Sequence, residues 1–199
     1  MTSITAFKAC SATLLMMLVP APSALAHEGA SLPNSLKHGF LHPLLGIDHL
    51  AAMVAVGLLS AVSLRGAIWR LPLAFVCALL VGGVAGFNGL ELVSVELWIM
   101  GSLILMGVVL ITTKSVGLRW ALVAVSLFGF AHGNAHGLEL PAGVSATAFT
   151  AGFTAASILC HLAGVSLGIL AQRSRFSASM LRVGGAFLVG AGVLLLLNA

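Results

Sequence analysis

Long apolar runs separated by short polar gaps dominate this chain. After the first 26 residues there are six of them, at about 43–64, 71–90, 95–113, 118–138, 145–171 and 180–198. Each approaches or exceeds the ~20 residues that carry a helix across a ~30 Å hydrocarbon core. Lipid offers no partner to a free N–H or C=O, so all six runs are predicted to be helical. The gaps leave no room for a soluble domain. The expected fold class is all-α, a polytopic membrane bundle of six transmembrane helices.

The first 26 residues read differently. Lys8 supplies a positive start, Ala9 to Val19 a short apolar core, and Pro20 and Pro22 break it. Ala24-Leu25-Ala26 then places small residues at −3 and −1 of a signal-peptidase site. The core is too short to span. The expected division is a cleaved leader at 1–26 and one membrane unit at 27–199.

The polar gaps predict orientation. Arg65 and Arg70 lie between runs one and two, Lys114 and Arg119 between three and four, and Arg173, Arg175 and Arg182 between five and six. The alternate gaps carry Glu91, Glu96 and Glu139 without Lys or Arg. Of the basic residues after the leader, only Lys37 falls on their side. The basic gaps are therefore expected in the cytoplasm, with both termini periplasmic and the protein in the inner membrane.

Composition excludes the soluble alternatives. Of 199 residues, 60% are hydrophobic and 7% charged, whereas a soluble surface calls for about 25% charged. The formal charge of +4 is scattered among the gaps and makes no nucleic-acid patch. The three cysteines, Cys10, Cys77 and Cys160, form neither a disulfide framework nor a zinc finger. Small residues four apart, Gly82/Gly86, Gly133/Gly137, Gly164/Gly168 and Ala186/Gly190, are expected to let helices approach closely.

Ionisable groups inside spans cost about 2.5–3.5 kcal/mol each on insertion scales, and so mark function. They gather in two places. The first holds His38, His42, Asp48 and His49 at the start of run one. Pro43 suits a first helical position and disfavours helix at His42. This predicts His42 on the lip of the helix and Asp48-His49 in its second turn, with His42 and His49 sharing a face if the turn continues. Asp48 either ligates or orients an imidazole through its second nitrogen.

The second place is the end of run four. His132, His136 and Glu139 fall at i, i+4 and i+7 and are expected to line one stripe. Two imidazoles and a carboxylate so spaced form half of a transition-metal site. Run one enters from the outside and run four exits there, so both groups fall in one leaflet. Glu96 is at similar depth. Glu91 reads as a solvated loop residue, His38 as a solvated position before the helix, and Met53 and Cys160 as packing. The candidate ligands are His42, Asp48, His49, His132, His136 and Glu139, with Glu96, His161, His38 and His27 as further pathway residues. Two other chemistries use such residues: a membrane hydrolase with a zinc-activated water, and a b-type haem held by axial histidines.

At these residues the chain resembles the HupE/UreJ family of nickel/cobalt permeases. His42, five residues and Asp48-His49 match its first-span motif, and His132 through Glu139 match its fourth-span motif, His-Gly-x-Ala-His-Gly-x-Glu. The start His27-Glu28-Gly29, Val95-Glu96, and Ala146-Thr147 followed by His161 are also similar. Ala131 stands where the family usually has Phe, with Phe130 one place earlier.

The resemblance implies a permease that takes Ni²⁺ or Co²⁺ from periplasm to cytoplasm. No resident cofactor is implied, and the indirect partner is a nickel or cobalt enzyme maturation system. No phosphate-cradling loop is present, so a secondary, non-ATP route is expected. No catalysis and no nucleic-acid partner are expected, the lipid bilayer is the surroundings, and a homo-oligomer stays an open option.

Overall fold

A computed structural model describes residues 32–63, 67–112, 116–173 and 177–198. The leader, His27, Arg65, Lys114 and Arg175 lie outside the described residues. Among those described, the chain is helical without strands: α1 (Leu32–Leu45), α2 (Ile47–Ser63), α3 (Arg70–Phe87), α4 (Val95–Thr112), α5 (Leu118–Leu138), α6 (Ala146–Gln172) and α7 (Ser177–Asn198). The six apolar runs correspond to α2 through α7.

By length and composition α3, α4, α6 and α7 can each cross a membrane, and α1 with α2 makes a fifth candidate that is bent by 80°. α5 is long enough at 21 residues, but His132, Asn134 and His136 dilute the apolar character of its last turns. Large apolar side chains such as Leu73, Val84, Leu127, Leu159 and Leu197 stay exposed, as lipid-facing positions do. All three tryptophans, Trp69, Trp98 and Trp120, are exposed near helix ends, where amphipathic rings meet the headgroup region.

The first run departs from expectation. A whole helix, α1, precedes it, and the chain breaks at Gly46. Pro43 is not a first helical residue: it lies inside α1, near its end. His42 and His38 are helical too. The local preference against helix before proline is overridden because Pro43 is buried, and because so near a helix end the ring sacrifices only one backbone bond.

Three pairs dominate the packing, α3 with α5, α2 with α6 and α4 with α7, and α1 lies along α6. Reciprocal glycines set most of this. Four pairs face each other: Gly39 with Gly152, Gly57 with Gly164, Gly82 with Gly133, and Gly86 with Gly137. In each, a Cβ on one glycine would be driven into the backbone carbonyl three residues before the other. For Gly82 and Gly133 those carbonyls belong to Phe130 and Leu79. Backbones so close leave no space for any side chain.

The spacing rule fails at Ala186/Gly190. Ala186 is exposed and Gly190 meets open space, while Gly185 and Gly192 make the contact with α4. A four-residue spacing identifies a face but not whether a partner covers it.

Polar ties fasten the ends of α6. The Ser145 N–H donates to Ser35 Oγ at 3.1 Å and Gln172 Nε2 donates to the Ala61 carbonyl at 2.9 Å. One end of the bundle carries Arg70, Arg119, Arg173 and Arg182. The other carries Asp48, Glu91, Glu96 and Glu139.

Candidate metal centre

The carboxylate end is where the two histidine groups meet. The Gly46 carbonyl accepts the Leu50 N–H at 2.9 Å and so opens α2, which puts Asp48 and His49 in the first turn rather than the second. The helix does not continue from His42 to His49. The bend turns α1 so that His42 approaches the end of α5 from one side while His49 approaches from α2.

On α5, His132 is fully buried and His136 is 5% exposed. Glu139 is not a further helical turn. It caps the helix, its N–H donating to the Ala135 carbonyl at 3.1 Å, and its side chain reaches back.

The four imidazoles form a connected cluster. Ring centroids lie 4.7 Å apart for His42 and His136, 4.3 Å for His49 and His136, and 5.1 Å for His49 and His132. The Glu139 carboxylate is 3.5 Å from His42 Nε2 and 3.6 Å from His136 Nδ1. One ligating atom each from His42, His136 and Glu139 falls within a 4.8 Å group. The neighbouring His136 and then His42 hold the Glu139 carboxyl well below the usual carboxylate range, outweighing the opposing effect of partial burial.

Two rings have defined tautomers. His49 Nδ1 donates to Asp48 Oδ1 at 2.8 Å, and the same oxygen accepts the His49 backbone N–H at 2.9 Å. Asp48 thus orients an imidazole. His132 Nδ1 donates to the Phe128 carbonyl at 2.8 Å. Each ring therefore keeps its Nε2 as a lone pair, and both Nε2 atoms are buried without a hydrogen-bond partner, as is His136 Nε2, while His136 Nδ1 faces the Glu139 carboxylate. An unsatisfied buried polar atom costs roughly 1–3 kcal/mol. A cation coordinated there removes that cost.

Beside the cluster lies a cavity of about 280 Å³ lined by Asp48, His49, Glu91, Glu96 and Glu139, with Ile99, Met100 and Leu138 among the apolar walls. Every Asp and Glu of the described residues borders it, and no Lys or Arg does. Glu91 is thus a cavity residue, which its loop position alone did not reveal. Sequence reasoning also passed over Asn134. It is fully buried, accepts the Leu92 N–H at 3.0 Å and donates to the Leu90 carbonyl at 2.7 Å. It so fixes the loop that carries Glu91. Its place between two motif histidines was the only available signal.

His38 is half-buried one turn before His42 and is not among the rings that meet. Met53 and Cys160 belong to the apolar core. His161 is buried on α6, away from the cavity, against the ring of Phe75.

Comparison with known proteins gives three findings. A family model described as HupE / UreJ protein matches residues 14–195. The chain is 34% identical over 186 residues to Protein HupE of Rhizobium leguminosarum bv. viciae, covering 94% of this chain and 96% of that one. No solved structure matches.

Proposed function

The chain belongs to the HupE/UreJ family, and on that premise we propose that it carries a divalent transition metal, Ni²⁺ or Co²⁺, across the inner membrane without ATP. The carrying observation is the convergence of four imidazoles from three helices beside an acidic cavity, with the Nε2 atoms of His49 and His132 bare and aligned by fixed acceptors. That arrangement suits an ion which prefers nitrogen with some carboxylate.

In this reading Asp48, Glu91, Glu96 and Glu139 gather the hydrated cation, since a concave surface of one charge sign raises the local concentration of its counter-ion. Glu139 hands it to His42 and His136. His49 and His132 complete the first site. Transport runs from periplasm to cytoplasm through six spans, α1/α2 together making the first, after removal of the leader 1–26. The segregation of arginines to the far end supports that direction.

Influx of radiolabelled Ni²⁺, Co²⁺ and Zn²⁺ into proteoliposomes, with and without a pH gradient, tests the reading. His49→Ala and His132→Ala are expected to abolish accumulation while the protein still inserts. Wild-type uptake in both variants overturns the assignment.

A further inference from the structure

The line of rings does not end at His132. The Phe75 ring lies 5.4 Å from it, centroid to centroid, and His161 lies 5.2 Å beyond Phe75. Phe75 is 0% exposed and His161 2%. Neither ring nitrogen of His161 makes a well-formed hydrogen bond, and the nearest acceptor is the Ser157 carbonyl one turn earlier on α6. A neutral imidazole carries one N–H and one lone pair; the carbonyl can take only the N–H, so the lone pair is stranded, as in His132.

Two more polar groups share this part of α6. Ser157 is fully buried and donates its hydroxyl to the Phe153 carbonyl at 2.8 Å, which leaves its oxygen lone pairs free. The Thr154 Oγ1 is buried with no partner. Residues 154, 157 and 161 stand at i, i+3 and i+7, one face of a helix. Packing alone would be better served by an apolar residue, since the Ser157 carbonyl can satisfy the imidazole N–H but leaves a buried lone pair with nothing to accept.

We propose that His161, with Ser157 and Thr154 along the same face, is a second station for the same class of cation, deeper in the bundle and divided from the four-histidine cluster by the Phe75 ring. The proposal rests on the transport reading. A divalent ion faces a prohibitive desolvation cost in a low-dielectric interior, so a route through the bundle needs donors at intervals. His161 is 15 residues into α6, which begins at Ala146. That is about 22 Å along the helix at 1.5 Å per residue, past its midpoint, whereas the first cluster starts at Glu139 at the end of α5 and reaches inward only to His132.

The test uses purified full-length protein, with Ni²⁺ alone as the probe. Equilibrium dialysis and calorimetry count bound ions, and proteoliposomes report influx. His161→Ala and His161→Gln are both expected to lose the weaker binding event and to slow influx by about tenfold or more. The tighter event should shift by less than about twofold, which also certifies the fold. Wild-type stoichiometry and influx in both variants overturn the proposal, as does loss of the tighter event in a variant whose melting temperature is unchanged. His132→Ala separates the two readings: if tight binding survives there, the four-histidine assignment fails rather than the second station, and a wild-type protein that binds two ions without any influx sinks the transport reading alone.

Discussion

His49 and His132 share a device. Each gives one ring nitrogen to a fixed acceptor and leaves the other bare and buried. The acceptor selects the tautomer and aims the lone pair, and in metal sites such partners are worth about 10–100-fold in affinity. Asp48→Asn keeps an acceptor oxygen but loses the charge that makes the imidazole a better donor. Metal binding is expected to weaken by about tenfold with insertion unchanged, measured by calorimetry.

Glu139 is more than half exposed, so Glu139→Gln should cost under about 1 kcal/mol of stability while weakening cation capture. Its pH signature follows from the direction of its shift. A carboxyl whose folded pKa is lowered stabilises the fold above its ordinary range, and that contribution fades as pH falls below it. The melting difference between wild type and Glu139→Gln should therefore shrink on acidification through and below pH ~4. A difference that grows there would rule out the hydrogen-bonded contact of Glu139 with His136 and His42 as the cause.

At the scale of helices, close approach does the positioning. His132 sits beside Gly133, and the His161 carbonyl lies where a Cβ on Gly57 would go, so the glycine contacts fix the separation of the helices that carry the rings. Gly133→Ala and Gly57→Ala must push backbones apart, and overpacking of this kind costs about 1–3 kcal/mol or more. Gly190→Ala meets open space and replaces a poor helix former, worth up to ~1 kcal/mol in the other direction. Thermal melting in detergent should drop clearly for the first two and hold or rise for the third. Equal effects at all three positions would refute the role of close approach. Gly46 is a separate case: a Cβ there would come within 3.0 Å of Asp48 Oδ1 and 3.1 Å of His49 Nδ1, so the break in the first run also clears space for that pair.

Over the whole molecule, the three main pairings map onto themselves when α2, α3 and α4 are exchanged with α5, α6 and α7. The glycine pair Gly57/Gly164 then falls on Gly133/Gly82 in the same register. With three spans in each half, as proposed above, the halves would face opposite ways across a bilayer, as the two units of inverted-repeat transporters do. The four clustered histidines do not obey this exchange, because they all gather at the carboxylate end. In a cysteine-free background an impermeant maleimide applied to intact spheroplasts should label Ala142→Cys, beside the acidic end, and spare Arg173→Cys at the other. The reverse pattern would overturn the direction of uptake.

The sequence alone determined the helical class, the six apolar runs and the residues of the two histidine motifs. Each of these is a local property: lipid forces helix on any long apolar run, and ionisable residues inside such a run stand out by their cost. The 80° break before His49, the inward turn of Asp48, the loop tie at Asn134, the gathering of Glu91 with the other carboxylates and the Phe75 ring between His132 and His161 were decided only by the tertiary structure. These depend on which helix covers which face, and an apolar ring in an apolar run looks like any other until its neighbours are in place.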